Sequence, residues 1–256
     1  IDDSNIQSIL PSRTLSHVKV IKYGFDMSAD LRGEIGELHA YYSKVLVFEK
    51  RYGQKKEVNL GEIRLNMPGE HNILNALGAI SLSRELDLPF SVIQEALQSF
   101  KGVERRFELK GTYAGAEIFD DYGHHPSEIE KTLLVAKRRA KKRLHVAFQP
   151  HRYTRTEKLW QEFVRTLACG GIDTLYLTDI YPASERPIPG VTSDRLVQEI
   201  AKENPELTIF YYKTYEQIVI HAAKTLKDGD LFLTLGAGKA NCIGKALVEK
   251  ETNSSL

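Results

Sequence analysis

AEIFDDYGHHPSEIEKTLLVAKRRAKKRLHVAF, residues 116–148, is the stretch on which the fold turns. It opens as a strand at 116–120, passes through a loop of carboxylates, histidines, glycine and proline, becomes a helix over 127–139, and re-emerges as the mostly apolar strand 144–148. Working outward, the same alternation continues. Strands are predicted at 107–111, 174–180, 208–213 and 230–235, with helices at 156–169, 193–203 and 215–226 and a last one after Gly238. Strand and helix in strict alternation require a mostly parallel sheet covered on both faces with right-handed crossovers. Ligands of such sheets collect at the carboxyl ends of the strands.

Upstream the pattern differs. Short strands are expected at 17–23, 36–41, 44–50 and 62–65, with a polar stretch at 52–56, which together make a thin β layer. From Glu70 the period changes: Ile73, Leu74, Leu77, Ile80 and Leu86 recur at helical spacing, and a second helix at 91–98 follows Pro89. The chain passes from helix to loop at 99–102, and this divides it into a first domain over 1–99 and a second over 100–256. Thr154-Arg155-Thr156-Glu157 has the form of a capping box, and the polar tail 249–256 is expected to fray.

Composition narrows the classes of function. With 256 residues, 42% of them hydrophobic, the chain is long enough for two buried cores. Thirty-five basic and 34 acidic residues leave a formal charge of +1, so no global field draws it to nucleic acid or to anionic lipid. Cys169 and Cys242 lie far apart without a CxxC spacing, which argues against a disulfide framework or a zinc knuckle and fits a reducing cytoplasm. No apolar run reaches the roughly 18–20 residues of a membrane span.

Four clusters carry more polar groups than folding needs. His71, Asn72 and Asn75 open the first helix; amide groups suit the edge of a purine, although the same residues serve as helix caps. Arg105 and Arg106 precede a strand and suit phosphate, although a surface arginine pair is also simply solvated. Asp120, Asp121, Tyr122, Gly123, His124, His125 and Pro126 fill a strand-end loop. The carboxylates there suit ribose hydroxyls or a metal. Zinc is disfavoured, because adjacent histidines diverge and no third ligand stands at a usual spacing. Gln149 to Thr156 forms the next such loop, where His151, Arg152 and Arg155 add positive charge to a helix N-terminus and would hold an anion. Gly236-Ala237-Gly238-Lys239 follows a strand but fails the phosphate-loop spacing and reads as a tight turn. The basic run 137–143 reads as a solvated helix end.

MPGEHNILNALGAI at 67–80, FKGVERRFE at 100–108, DDYGHHPSEI at 120–129, FQPHRYTRT at 148–156 and DIYPASE at 179–185 together resemble the Mur ligases, and within them the branch that adds L-alanine. The resemblance implies an α/β protein: the later part of a central ATPase domain over 1–99, then a Rossmann-like C-terminal domain over 100–256. It implies an ATP- and Mg2+-dependent amide-bond ligase of peptidoglycan synthesis in the cytoplasm. There the γ-phosphoryl group of ATP activates the carboxylate of UDP-N-acetylmuramate, and the amine of L-alanine attacks the acyl phosphate. On this resemblance His71, Asn72 and Asn75 would surround adenine, Arg106 would reach the phosphates, and Asp121 with Asp120 would hold ribose. Tyr122, His124, His151, Arg152 and Arg155 would form the amino-acid and acyl-phosphate side. The family's phosphate loop and the magnesium ligands of the early central domain have no match in the chain, which opens at Ile1, so the piece alone is expected to be inactive and to bind no metal of its own. The related tripeptide-recycling ligase and a non-catalytic nucleotide-binding module are the alternatives. Everything rests on two loops from neighbouring strands converging, so that Tyr122 and His124 face Arg152 and Arg155 across one cleft.

Overall fold

The computed structural model describes residues 1–9, 18–50 and 56–254. Residue 17 of the first expected strand, residues 52–55 of the polar stretch and residues 255–256 of the tail lie outside the described residues. The chain divides into two compact units, Ile1–Gly102 and Val103–Leu256, three residues beyond the boundary expected at 99.

The first unit runs α1 (Ser4–Ile9), β1 (Tyr23–Gly24), β2 (Leu31–Leu38), β3 (Ser43–Glu49), β4 (Val58–Leu65), α2 (Glu70–Glu85) and α3 (Phe90–Ser99). Its sheet has the order β1-β2-β3-β4, with β1 parallel to β2 and the other pairs antiparallel. The strand expected at 17–23 reduces to Tyr23–Gly24, and the strand expected at 36–41 lies earlier, at Leu31–Leu38. The reason is in the burial: Leu31, Arg32 and Gly33 are all buried while the later residues of β2 come to the surface, so alternation counted from Gly36 started in the wrong half. Ile73, Ala76, Leu77 and Ile80 place one stripe of α2 against Val45, Val47, Ile63 and Leu65 of the sheet.

The second unit contains β5 (Glu108–Tyr113), β6 (Ala116–Asp121), α4 (Pro126–Arg139), β7 (Leu144–Phe148), α5 (Tyr153–Lys158), α6 (Trp160–Cys169), β8 (Thr174–Leu177), α7 (Ser193–Glu203), β9 (Thr208–Tyr211), α8 (Tyr215–Thr225), β10 (Leu231–Leu235) and α9 (Asn241–Ser254). The sheet order is β5-β6-β10-β7-β8-β9, parallel except for β5 at the edge. Alternating strand residues feed two cores. Val146, Phe148, Leu233 and Leu235 pack with α4, α6 and α7, whereas Ala147, Tyr176 and Phe232 pack with α8 and α9.

Three expectations fail here for tertiary reasons. The helix expected at 156–169 is two helices, α5 and α6, meeting at Leu159, whose φ of −111° and ψ of 26° interrupt the helical path. The tail does not fray at 249, because α9 continues to Ser254. The run 137–143 is not merely solvated: Arg139 pairs with Glu117 at 2.7 Å and lies 4.6 Å from the Phe119 ring, and Arg143 reaches Asp230 at 2.7 Å.

Register fixes where the site must lie. Leu235 of β10 stands level with Asp121 of β6 on one side and with Phe148 of β7 on the other. The loops 122–125, 149–152 and 236–240 therefore leave the sheet side by side. The two histidine-bearing loops come from strands separated by β10, roughly 10 Å apart at two strand spacings, rather than from adjacent strands.

Candidate active site

The loop after β6 is shaped by its own carboxylates. Asp121 Oδ1 accepts from the Gly123 amide at 2.7 Å and Oδ2 from the Phe107 amide at 2.8 Å. Burial pushes the Asp121 carboxyl up, while those amides, with Arg106 and Thr132, pull it back. The adjacent histidines diverge as expected. His125 belongs to the start of α4, where its Nδ1 lies 2.9 Å from Ser127 Oγ, and Glu128 accepts from the amides of His124 at 3.1 Å and His125 at 3.2 Å. His124 turns the other way, toward the loop after β7.

There the two loops meet. The His124 and His151 ring centroids are 5.6 Å apart, and Tyr122 presents its edge to His124 at 5.3 Å. His151 Nδ1 lies 3.4 Å from Arg155 Nη1, since the two residues stand four apart. Burial depresses the His151 pKa, and the positive charges of His124, Arg155 and Arg152 depress it further. The result is a neutral imidazole, able to accept a proton, in a cationic pocket.

The expected capping box at 154–157 is absent. α5 starts at Tyr153, its N-cap Arg152 has φ 74° and makes no side-chain cap, and the Thr154 hydroxyl donates instead to Glu185 Oε1 at 2.7 Å. A third loop, after β8, is stitched onto this one: Arg152 N donates to Tyr181 O and Tyr181 N to Pro150 O, each at 2.8 Å, and the Tyr181 ring stacks on His151 at 5.3 Å.

The arginine pair is divided between two tasks. Arg105 is drawn into the fold: its Nε donates to Asp120 at 2.9 Å, its Nη2 to the Gly236 carbonyl at 2.6 Å, and its guanidinium lies 5.0 Å from the Tyr122 ring. Arg106 remains exposed. Asp120 is 1% exposed, with one oxygen on Arg105 and the other accepting from Thr234 Oγ1 at 2.6 Å. Asp120 thereby anchors Arg105, and Asp121 is likewise buried with both oxygens engaged.

The turn after β10 completes the floor. Gly236 has φ 138°, and a Cβ there would stand 2.8 Å from the Gln149 carbonyl oxygen, so the close approach of the two loops requires glycine. Gln149 binds across: Nε2 donates to Tyr215 Oη at 2.7 Å, and Oε1 accepts from the Lys239 amide at 3.2 Å. Gln149, Tyr181 and Glu185 escaped sequence reasoning, though each stands in a quoted motif. A polar residue buried directly after an apolar strand was the one available signal for Gln149. In the first unit, the Asn72 side chain donates to Pro68 O at 2.8 Å, His71 is half-buried and Asn75 is exposed on α2.

Of the seven non-glycine residues with positive φ among the described residues, Arg152, Ala183 and Ser184 lie in these loops, and Arg105 and Phe107 in the segment leading into β5 beside them. Such strain persists where surrounding structure enforces it, and it concentrates at functional sites. The unit is thus an α/β domain with cationic and imidazole groups gathered at the carboxyl edge of its parallel strands, where the ligands of such sheets collect. Comparison places it further. Residues 105–238 match the family model "Mur ligase, glutamate ligase domain", and the chain belongs to the Mur ligase family. It is 43% identical over 250 residues to a UDP-N-acetylmuramate–L-alanine ligase of Geotalea daltonii, covering 98% of this chain and 52% of that protein. A protein of the same name from Solidesulfovibrio magneticus is 43% identical over 252 residues, with 98% and 52% covered. The chain thus spans about half the length of the curated relatives it matches. In fold it is similar to the Thermotoga maritima UDP-N-acetylmuramate-alanine ligase, with a TM-score of 0.73 at 24% identity over 94% of this chain and 50% of that one. It is also similar to a murein peptide ligase of Psychrobacter arcticus, with a TM-score of 0.62 at 23% identity over 91% and 46%.

Among the described residues, no group of three His, Cys, Asp or Glu side chains is gathered as metal ligands would be, and no helix is long and apolar enough to cross a membrane.

Proposed function

We propose that this chain supplies the amino-acid side of an ATP-dependent ligase that joins L-alanine to UDP-N-acetylmuramate in peptidoglycan synthesis in the cytoplasm. The observation that carries the reading is the convergence of Tyr122, His124, His151 and Arg155 from two separated strands. ATP would supply the phosphoryl group that activates the substrate carboxylate. His151, held neutral by burial and by its cationic neighbours, accepts a proton from the alanine ammonium and so frees the attacking amine. Arg152 and Arg155 hold the amino-acid carboxylate or the oxygens that gain charge during the transfer. Neutral His151 and cationic arginines are compatible, since the arginines themselves help keep the proton off the imidazole.

On the nucleotide side, Arg106 is the exposed member of its pair and fits a phosphate, and Asp121 with Asp120 are the residues that the family motif assigns to ribose. His71, Asn72 and Asn75 fit the adenine edge, Asn72 through its carbonyl and second N–H. Among the described residues no group of three His, Cys, Asp or Glu side chains is gathered that could hold magnesium.

The test is steady-state kinetics of this chain joined in one polypeptide to the N-terminal half that completes its relatives' length, called here the assembled ligase. Arg152→Ala is expected to lower kcat/KM for L-alanine by about 10²-fold, the scale of losing one charged orienting contact, with the melting temperature retained. Unchanged kinetics would overturn the reading. Turnover of tripeptide in place of L-alanine would assign the chain to the recycling ligase instead.

A further inference from the structure

The loop after β8 carries DIYPASE, a motif to which the reading above gives no task. Within it Ala183 has φ 45° and Ser184 φ 70°, two consecutive left-handed residues neither of which is glycine. Such backbone is strained for residues with a Cβ, so the turn persists only because its contacts hold it. What it delivers is Glu185. Both carboxylate oxygens of Glu185 reach the first turn of α5: Oε2 accepts from the Thr154 amide at 3.0 Å, and Oε1 accepts from the Thr154 hydroxyl at 2.7 Å while lying 3.5 Å from Arg152 Nε.

We propose that Glu185 is a positioning residue for the amino-acid site, which caps α5 from a neighbouring loop and aims the Arg152 guanidinium. It deepens the reading given above and rests on it. Arg152 lacks a side-chain cap of its own and sits at φ 74°, so α5 would begin with an unsatisfied amide were Glu185 removed. An acceptor borrowed from another loop ties that helix start to the strained turn. The Arg152 guanidinium meets Glu185 through Nε at 3.5 Å, and the side chain is 49% exposed, so the end-on pair of terminal nitrogens is not taken up by this contact. That leaves the fork that binds a carboxylate bidentately open to a ligand. Tyr181, at the head of the same loop, stacks on His151, so one segment sets both the cation and the imidazole. The amides and hydroxyl of Thr154, then Arg152, hold the Glu185 carboxyl below the usual glutamate range, and it keeps its charge through neutral pH.

The experiment is a double-mutant cycle in the assembled ligase, read as KM for L-alanine, KM for ATP and kcat, with melting temperatures for every variant. Glu185→Ala is expected to raise KM for L-alanine roughly tenfold and to leave KM for ATP within about twofold, the pattern of a lost orienting contact at one substrate. Glu185→Gln keeps acceptor capacity toward Thr154 and should restore part of the loss. In an Arg152→Ala background, Glu185→Ala should add less than about twofold, because its target is gone. The paired change Ala183→Gly with Ser184→Gly keeps the carboxylate but loosens its delivery, and should raise KM for L-alanine while leaving the melting temperature equal or higher. Glu185→Ala with unchanged KM, or with an effect fully additive to Arg152→Ala, overturns this inference alone. Arg152→Ala with unchanged kinetics overturns the underlying reading and this inference together.

Discussion

Replacing Arg105 by Ala should destabilise the second unit far more than replacing its neighbour Arg106. The Asp120 side chain is 2% exposed and that of Arg105 22%, with 2.9 Å between them. Removing one partner of a buried pair costs ~3–5 kcal/mol, because a charge is left without compensation. Arg105 is about one-fifth exposed, and Asp120 keeps the Thr234 hydroxyl at 2.6 Å, so the lower end, ~3 kcal/mol, applies. Two further losses act in the same direction: the Gly236 carbonyl loses its donor and the Tyr122 ring its cation. At ~2–4 °C per kcal/mol for a unit of about 150 residues, the melting temperature should fall by ~6–12 °C. Arg106→Ala, which removes an exposed side chain, should stay within ~0.5 kcal/mol, or ~1–2 °C. Trp160 is the chain's single tryptophan and belongs to the second unit, so its fluorescence follows this unit's melting. Equal shifts for the two variants, or a larger one for Arg106→Ala, would refute the division of labour between the two arginines.

Three further outcomes are expected. His145 is 1% exposed, and burial depresses its pKa, with Arg143 adding to the effect and Asp230 opposing it. Below the ordinary histidine value the unfolded chain takes up a proton that the folded chain resists, so stability must rise with pH between about 5.5 and 7; His151 acts with the same sign. Melting curves across that range should show this slope, and His145→Asn should flatten it. Gln149→Leu strands the Lys239 amide and the Tyr215 hydroxyl, at a cost of ~1–3 kcal/mol. Faster trypsin cleavage after Lys239 would register the loosened turn. Phe163→Ala, at a fully buried position between α6 and the sheet, should cost ~3–5 kcal/mol, seen as a lower denaturation midpoint.

The order of strands and helices in the second unit could be read from periodicity because parallel strands buried on both faces are predominantly apolar, as at 144–148 and 231–235, each with a single polar residue. The insertion of β10 between β6 and β7 could not, since pairing across more than a hundred residues leaves no local mark. The same limit explains the site. His124, His151 and Arg155 were visible because they crowd at strand ends. Arg105 and Arg106 are chemically identical, and only the position of Asp120 decides which is consumed by the fold. The capping pattern at 154–157 misled because Thr154 found a stronger acceptor in Glu185, thirty-one residues away in sequence. In the first unit the boundary of β2 was misplaced because its buried residues cluster at one end instead of alternating along it.

The central claim is that the loops after β6 and β7 share one cleft, and an NMR titration of the His151 ring in this chain tests it most directly. His151 should titrate below the ordinary histidine value in the wild type, and His124→Gln should move its midpoint upward by removing a positive neighbour whose ring centroid lies 5.6 Å away. A His151 midpoint indifferent to that substitution would place the two rings in separate surroundings and contradict the account.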